Sequence, residues 1–322
     1  MSEIIKNRSE ILFIYDITDA NPNGDVDENK PRIDEETGYN IVTDVRLKRT
    51  IRDYLYDFKN IEIFVREERD DQGNLKTKEE MYKKYGSPEE IIKKCIDIRL
   101  FGGTFALKKK DNKKGNSQKN EEDKESERAF ALTGPVQFKF GRSLNKVGEA
   151  TFIKGTTVIP SNEKKGAGTF WEAYIIPYSL IVFYGIVNEN AAKHTGLTNE
   201  DVNLLLDGIW NGTKNLITRS KFGQMPRFLL QIVYKEKNYH IGELDHRIKL
   251  LKNNPNQRDE EIRRIQEVKI DVSDLAKAIE NNKNGIEFIR YKKDEYLEIT
   301  KDGKSIKINE MVDGIKFEEI TF

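Results

Sequence analysis

An apolar segment, a loop of turn-forming residues and a two-faced helix follow one another near the start of the chain. Ile11–Ile17 is rich in Ile, Phe and Tyr and stops where turn formers begin, which predicts a buried strand. The sequence NPNGD at residues 21–25 cannot continue a regular element, because proline lacks an N–H donor and Gly and Asn tolerate positive φ. From Thr43, which suits an N-cap, apolar residues recur at helical spacing and predict a helix to Phe58. A loop placed after a buried strand can present backbone N–H groups and short polar side chains to a ligand.

The predicted helix is basic on the side opposite its apolar stripe. At about 100° per residue, Arg46, Arg49 and Arg52 fall away from that stripe, and Lys48 lies on the flank. We therefore expect the stripe to be buried and Arg46 and Arg49 to face a ligand groove.

Four later segments complete a recognisable order of elements. They are a half-buried strand from Val136 that ends at Gly141–Ser143, an apolar strand Pro177–Val187, a capped helix from Thr198 and an apolar strand Phe228–Tyr234. The order is strand, helix, strand, strand, helix, strand. This pattern predicts an α+β fold with a modified ferredoxin-like βαββαβ core, of the kind found in RNA-recognition domains.

We expect residues 1–235 to form this core and its insertions. Residues 59–130 predict a helical insertion with a short strand within Asn60–Arg69 and helices over Thr77–Tyr85 and Glu89–Ile98. Within it, residues 108–128 are charged and almost free of apolar side chains, so they predict a mobile loop.

Residues 146–171 predict a protruding β-hairpin with two short strand segments and a polar tip. Residues 236–322 predict a peripheral α+β elaboration, with helices near Asp259–Val268 and Ser273–Glu280 and a hairpin that turns at Asp302–Gly303.

The composition and the motif search exclude several classes of function. The 55 basic and 55 acidic residues cancel, so net charge neither indicates nor excludes a polyanionic partner. One cysteine forms no internal disulfide, which fits a reducing cytoplasm, and the sequence predicts no signal peptide or membrane span. Three histidines without paired-ligand spacing predict no metal site, and no nucleotide-binding loop or nucleophile elbow occurs, so we expect no cofactor.

The acidic residues near the first loop allow two interpretations. Asp16, Asp19, Asp25 and Asp27 could bind a cation or supply a general base. Alternatively, Asp19 and Asp25 make local hydrogen bonds that hold the loop, and turn chemistry favours this interpretation.

Basic residues gather where predicted strands and helices end. A salt-bridged surface explains any single one of them, whereas convergence on one groove would suit phosphate oxygens. The aromatic pattern of an RNA-recognition sheet is missing, so backbone tracking along a single strand is the better interpretation than base stacking on the sheet. The basic residues in question are Arg46, Lys48, Arg49, Arg99, Arg142, Lys146, Arg219 and Lys221.

Several of these segments, in this order, resemble one protein family. They are DANPNGD at 19–25, LKR at 47–49, RLFGG at 99–103, GPVQF at 134–138, GRS at 141–143, PY at 177–178 and SKFGQ at 220–224. Over residues 10–235 the chain resembles the Cas-seven family (Csh/Csd type), the backbone subunit of type I CRISPR Cascade effectors, most closely subtype I-B.

The resemblance implies a role in antiviral defence. A member of the family binds CRISPR RNA, polymerises head to tail along the spacer and presents it for pairing with target DNA. It contacts the other Cascade subunits, namely the small, large, five-prime cap and repeat-processing subunits. A thumb hairpin, here 146–171 with Phe152, Ile153, Val158 and Ile159, folds over the RNA. Base pairing supplies the sequence specificity and the protein holds the backbone.

The resemblance also implies which residues form the RNA groove. They are Asn21, Asn23, Gly24, Arg46, Lys48, Arg49, Arg99, Gly102, Arg142, Ser143, Lys146, Arg219, Ser220, Lys221 and Gln224. Type I backbone subunits are not expected to cleave RNA, so no catalytic residue is predicted. The alternatives are an endoribonuclease of the type III kind that uses Asp25, or an unrelated module that binds single-stranded RNA.

Overall fold

The structure is a computed structural model that describes residues 3–105, 130–156 and 170–322. The loop predicted at 108–128 lies outside these residues, and so do Val158 and Ile159 of the predicted hairpin.

The strands are β1 Ser9–Ala20, β2 Tyr39–Val42, β3 Gly102–Phe105, β4 Phe130–Thr133, β5 Val136–Phe138, β6 Gly141–Lys146, β7 Thr151–Thr156, β8 Phe170–Val187, β9 Met225–Tyr234, β10 Lys249–Lys252, β11 Val268–Asp271, β12 Ile286–Lys293, β13 Glu298–Lys301, β14 Lys304–Ser305 and β15 Phe317–Glu319. The helices are α1 Asp44–Asp57, α2 Lys78–Tyr85, α3 Pro88–Lys94, α4 Ile96–Phe101, α5 Glu189–Thr195, α6 Asn199–Lys214 and α7 Ser273–Asn281.

The central sheet has the strand order of a ferredoxin-like core. β1 lies between β8 and β9, and β5 and β6 pair with the other edge of β8, all antiparallel. Helix α1 follows β1, and α6 lies between β8 and β9 in the chain. The predicted α+β fold with a βαββαβ core is therefore confirmed.

Both faces of this sheet are buried. Ile11, Phe13 and Tyr15 of β1 pack in one apolar cluster with α1 and α6, whereas Leu12 and Ile14 pack in a second cluster with the C-terminal segment. A strand covered on both faces requires a continuous apolar run, which explains the sequence of β1.

Helices α1 and α6 pack at close range. A Cβ atom on Gly208 would lie 2.9 Å from Cγ2 of Ile51, so glycine at this position of α6 lets the two helices approach. The buried side chains of α1 include Leu47, Ile51 and Leu55, as the helical spacing predicts.

The first strand of the hairpin is described as far as Thr156. β7 includes the first predicted segment and pairs with Phe170–Ile175 of β8, whereas 157–159 of the second predicted segment lie outside the described residues. β8 is 18 residues long in all and continues from the hairpin into the centre of the sheet. The hairpin is therefore an extension of the core sheet rather than a separate element.

The strand predicted from Val136 to Gly141–Ser143 is divided into two. β5 ends at Phe138, and Gly141–Ser143 begin β6, which pairs with β8 and with the short edge strand β2.

The helical insertion departs from the prediction at two points. Asn60–Arg69 forms no strand within the described residues. It is held instead by Asp97, whose carboxylate accepts hydrogen bonds from the backbone N–H of Phe64 (2.7 Å) and Val65 (3.0 Å). The helix predicted over Glu89–Ile98 is broken at Cys95, which has extended backbone between α3 and α4.

The C-terminal segment is partly as predicted. Helix α7 and the β13–β14 hairpin are present, whereas Asp259–Val268 holds two short 3-10 turns rather than a helix. This segment also contributes β12, which pairs with β9 in the central sheet, and β15, which pairs with β12. The domain boundary near residue 235 stays a prediction. No helix in the described ranges is long and apolar enough to cross a membrane.

Candidate nucleic-acid interface

Three segments that are far apart in sequence meet at one end of the sheet. The backbone N–H of Asn21, after β1, donates to the carbonyl of Ser220, which precedes β9 (2.8 Å). The Oδ1 atom of Asn23 accepts hydrogen bonds from the backbone N–H (2.8 Å) and hydroxyl (2.9 Å) of Thr43, the N-cap of α1. The loop after β1 therefore joins the start of α1 to the loop before β9.

The loop after β1 is shaped by its own side chains. Nδ2 of Asn21 donates to the carbonyl of Asn29 (2.7 Å), and its buried Oδ1 has no partner within the described residues. A Cβ atom on Gly24 would lie 1.9 Å from Oδ1 of Asn29, so any larger residue would displace the Asn29 amide.

Asp25 holds this loop closed. Its Oδ1 accepts hydrogen bonds from the backbone N–H of Glu28 (2.9 Å) and Lys30 (3.2 Å). Partial loss of solvent opposes ionisation, but these backbone donors outweigh it and lower the pKa of Asp25. The carboxylate is thus ionised and already engaged, as expected of a loop-holding residue.

Arg46 and Lys221 are two partly buried cations, and the carboxylate charge that acts on Arg46 is that of Asp53, which pairs with Arg49. Arg46 donates to Oγ1 of Thr50 (3.1 Å), and its buried Nε has no partner in the described part of the chain. Lys221 donates to the carbonyl of Asn21 (3.2 Å) and approaches Oγ of Ser220 (3.4 Å). Neither forms an ion pair with a described carboxylate.

Burial acts on both of these groups, and the Asp53 charge partly offsets it at Arg46. Burial, with the nearby Arg46 charge, lowers the pKa of Lys221, and burial lowers the pKa of Arg46. We call Arg46 and Lys221 the cation pair. An anion bound between these groups would relieve both the desolvation and the repulsion.

Further unpartnered and apolar groups belong to the same segments. Gln224 is buried, and its Nε2 has no partner among the described residues. Val45 at the start of α1 and Ile217 and Phe222 before β9 are large apolar side chains that are about two-thirds exposed, at 65%, 67% and 66%. The surface therefore combines free donors with apolar groups, as single-strand binding surfaces do.

Two other basic residues of α1 are used inside the protein. Lys48 donates to Oδ2 of Asp44 (2.8 Å) and Oε1 of Gln137 (3.2 Å). Arg49 pairs with Asp53 (2.6 Å) and donates to the carbonyl of Val65 (2.7 Å), so it faces the helical insertion rather than the cation pair.

Arg99 and Gly102 have structural environments away from the cation pair. The guanidinium of Arg99 binds both oxygens of Asp201 (2.9 and 2.8 Å), the residue that caps the first turn of α6. Gly102 has φ +71°, and a Cβ atom there would lie 2.1 Å from the carbonyl oxygen of Leu132. The glycine therefore permits a close backbone approach.

Of the predicted groove residues in β6, one is buried and two are exposed. Ser143 is buried, accepts from the backbone N–H of Asn40 (2.9 Å) and donates to the carbonyl of Asn145 (2.6 Å). Arg142 is exposed and pairs with Asp34 (3.0 Å). Lys146 is exposed, and its stem lies against Gly38.

Arg219 contacts the hairpin. Its guanidinium carbon lies 4.2 Å from the ring centroid of Trp171. Within the hairpin, Phe152 and Ile153 are 49% and 37% exposed, which leaves apolar surface on a two-stranded extension.

The sequence did not identify Trp171, Phe222 or Lys30 as residues of the candidate nucleic-acid interface. Phe222 lies between Lys221 and Gly223 in the basic loop, and an aromatic residue beside a lysine in a turn is a usable signal for nucleic-acid contact. Lys30 lies 5.1 Å from the ring centroid of Tyr174, a contact that sequence spacing does not reveal.

Asp16, considered above as a general base, is part of a buried charge network. Its Oδ1 accepts from Nε of Arg227 (2.9 Å) and its Oδ2 from the hydroxyl of Tyr178 (3.1 Å). Burial, despite the adjacent Arg227, raises the pKa of Asp16. In the described ranges, no group of three or more His, Cys, Asp and Glu side chains is arranged to hold a metal ion.

Comparison with known proteins identifies the family. Residues 7–273 match the family described as CRISPR-associated protein Cas7. A curated protein of Haloferax volcanii, also described as CRISPR-associated protein Cas7, is 33% identical over 319 residues, which cover 94% of this chain and 92% of that protein. The chain belongs to the Cas7 family. The resemblance found in the sequence is thereby confirmed, and the subtype stays a prediction.

Two solved structures match most of the chain at low sequence identity. A chain of a structure titled "CRISPR RNA-guided surveillance complex, pre-nicking" has a TM-score of 0.51 and 12% identity, and the match covers 92% of this chain and 96% of that one. A chain of a "CRISPR RNA-guided surveillance complex" has a TM-score of 0.48 and 14% identity, with coverage of 92% and 95%. The chain with the TM-score of 0.51 shares its fold with this protein.

Proposed function

We propose that this chain is a CRISPR RNA-binding backbone subunit of a type I Cascade surveillance complex. Copies of the chain bind head to tail along the guide spacer and present it for pairing with target DNA in antiviral defence. Membership of the Cas7 family, and relatives that belong to RNA-guided surveillance complexes, support this role. Its partners are the guide RNA, the target strand through that guide, further copies and the other Cascade subunits, and its place is the cytoplasm.

The cation pair is the observation that carries the proposal. Arg46 and Lys221 lie at the rim of the sheet, lose solvent and form no ion pair with a described carboxylate. Backbone phosphates supply the missing negative charge, and a guanidinium with an ammonium suits phosphate oxygens. We propose that these two residues bind one stretch of the RNA backbone, without reading its bases.

The other predicted groove residues take different roles in this proposal. Asn21, Asn23, Gly24 and Ser220 hold the loops that carry the cation pair, and Gln224 offers a free amide donor. Lys48, Arg49 and Arg99 are tied up in internal contacts and stabilise the protein. Arg142 and Lys146, being exposed on β6, are proposed as peripheral phosphate contacts.

We propose that the subunit is not a nuclease. Asp25, the loop carboxylate that the type III alternative would use, accepts two backbone hydrogen bonds at Oδ1. These donors lower the pKa of Asp25 and so make it a weaker base. Asp25 is better placed to hold the loop than to take a proton.

Binding of single-stranded RNA to matched variants tests the proposal. Arg46→Gln and Lys221→Gln each remove one member of the cation pair, whereas Arg49→Gln removes a paired arginine of the same helix. A charge-assisted hydrogen bond is worth about 1.5–3 kcal/mol, so each of the first two should weaken binding by about 10- to 150-fold at fixed salt.

The salt dependence gives the second readout. Loss of one phosphate contact reduces the slope of log K against log salt by about 0.7 for a single strand. Arg46→Gln and Lys221→Gln should each show this reduction on RNA of any sequence, and Arg49→Gln should not. Equal effects of Arg46→Gln and Arg49→Gln would refute the assignment of the cation pair. Electron microscopy of the protein with long RNA tests the assembly, and isolated subunits scattered along the RNA would refute head-to-tail polymerisation.

A further inference from the structure

Arg219 contacts an aromatic ring of the hairpin instead of an acidic partner. Its guanidinium carbon lies 4.2 Å from the ring centroid of Trp171, within cation–π range. The side chain is exposed and forms no ion pair with any carboxylate that the structure describes. The indole is therefore its principal partner.

The position of Trp171 is fixed by a glycine on the opposite strand. Trp171 of β8 pairs in register with Gly155 of β7. A Cβ atom on Gly155 would lie 2.5 Å from the indole ring, so any other residue would displace the ring. The indole thus lies across the backbone of β7, where Arg219 can reach it.

Arg219 is next to the loop contacts that place Lys221. The carbonyl of Ser220 accepts from the backbone N–H of Asn21 (2.8 Å), and Nζ of Lys221 donates to the carbonyl of Asn21 (3.2 Å). One short turn therefore carries both a member of the cation pair and the contact to the hairpin.

The contact also distinguishes the two faces of the hairpin. Directly paired residues share a face, so Gly155 and Trp171 lie on one side, and Phe152 and Tyr174 on the other. The rings of Phe152 and Tyr174 are 5.0 Å apart, and Phe170 on the same side is 65% exposed. With Trp171 held by Arg219, the opposite face carries Phe152, Phe170 and Tyr174, where Lys30 contacts the Tyr174 ring.

We infer that Arg219 is a positioning residue that fixes the hairpin relative to the phosphate-binding loop through Trp171. This inference rests on the proposed function, because the hairpin is positioned with respect to guide RNA bound at the cation pair. Arg219 acts on RNA binding through the hairpin and does not contact a phosphate. This assignment replaces the direct RNA contact expected of Arg219 from the sequence.

The first experiment measures the contact without RNA. Acrylamide quenching of tryptophan fluorescence is compared for the wild type, Arg219→Gln and Arg219→Lys, and Trp171→Phe supplies the contribution of Trp210. Arg219→Gln should expose Trp171 to the quencher, and Arg219→Lys should do so less, because a lysine retains a cation for the ring. Arg264→Gln, which removes an arginine of similar exposure in the C-terminal segment, should leave quenching unchanged.

The second experiment separates positioning from phosphate contact. Arg219→Gln should weaken binding of single-stranded RNA by about 2- to 5-fold, the equivalent of an exposed cation–π contact. The slope of log K against log salt should stay at the wild-type value, whereas loss of a phosphate ligand reduces it by about 0.7. In a Trp171→Leu background, Arg219→Gln should cause no further loss of affinity.

Each contrary result overturns the inference. Unchanged quenching of Trp171 in Arg219→Gln would show that the contact does not form, and a reduced salt slope would make Arg219 a phosphate ligand. Additive losses in the double variant would show that Arg219 acts independently of Trp171. Failure of the wild type to bind RNA would refute the proposed function, and the quenching result would still decide whether the contact exists.

Discussion

Burial and the Arg46 charge together lower the pKa of Lys221, although the two residues come from opposite ends of the core, one in α1 and one before β9. Both cations are partly desolvated, and neither forms an ion pair with a described carboxylate. The folded protein bears this repulsion until an anion binds, so anion binding should be visible as added stability.

We therefore expect inorganic phosphate to raise the melting temperature. At ten times its dissociation constant, a ligand that binds only the folded state adds about 1.4 kcal/mol, or about 2–4 °C. Differential scanning fluorimetry in phosphate, against sodium chloride of equal ionic strength, measures this rise. Lys221→Gln should abolish the specific rise, and Lys48→Gln should keep it. An equal rise in both variants would place the anion elsewhere.

RNA affinity should also begin to fall at a lower pH than it would if the bound cation were a lysine of ordinary pKa. The folded pKa of Lys221 lies below its ordinary value of 10.5, because burial and the Arg46 charge favour the neutral amine. Phosphate binds the charged ammonium, so affinity is full below the folded pKa and declines as the pH rises through it. Titration of RNA affinity from pH 7 to pH 10.5 tests this, and the decline should be absent in Lys221→Gln. A decline of the same size in that variant would assign it to another group.

The basic side of α1 shows how far sequence reasoning reaches. Helical spacing correctly placed Leu47 in the core and turned Arg46 and Arg49 away from it. It could not separate these two arginines: Arg49 forms an ion pair with Asp53 and donates to the carbonyl of Val65, whereas Arg46 donates to Thr50 and forms no ion pair with a described carboxylate. Helical periodicity predicts which way a side chain points. Whether an arginine forms an ion pair depends on the residues that the tertiary fold places beside it.

The strands of the fold were likewise predictable only where their own sequence carried the signal. The apolar runs of β1, β8 and β9 were identifiable because a strand buried on both faces leaves a continuous signal. The short edge strand β2 and the strands β12 and β15 were missed, because short or partly exposed strands carry little apolar pattern. The Arg219–Trp171 contact was also invisible in the sequence, since nothing in either segment specifies the other.

Phe222 should contribute to RNA binding by stacking on a base. Its ring is 66% exposed and follows Lys221 directly. Stacking of a base on an aromatic side chain is worth about 1–3 kcal/mol, so Phe222→Ala should weaken RNA binding by about 5- to 150-fold without changing the salt slope. Phe222→Trp should restore it. Oligonucleotides with single abasic sites provide the decisive comparison: the penalty of Phe222→Ala should disappear when the base that stacks on Phe222 is absent. A penalty that persists at every abasic position would exclude stacking.

Asp25→Ala should loosen the loop without revealing or removing nuclease activity. The variant loses the acceptor that holds the backbone N–H groups of Glu28 and Lys30, so hydrogen exchange of both amides should accelerate. Asp25→Asn keeps an acceptor oxygen and should show a smaller acceleration. Guide-paired RNA should remain intact with the wild type in the presence of magnesium. Metal-dependent cleavage that Asp25→Ala abolishes would refute the non-catalytic role.

Arg227→Met should be among the more destabilising single substitutions. Arg227 donates to Asp16 at 2.9 Å and also pairs with Asp294, so its removal leaves the Asp16 carboxylate buried without its cation. Breaking a buried ion pair from one side costs about 3–5 kcal/mol. Urea denaturation followed by circular dichroism measures the loss, with the hydroxyl of Tyr178 as the remaining donor to Asp16. The double variant Asp16→Asn, Arg227→Met removes the uncompensated charge and should recover a substantial part of the stability. If the double variant is as unstable as the sum of the two single variants, the two residues are not coupled, and the stability of this end of β1 must come from packing alone.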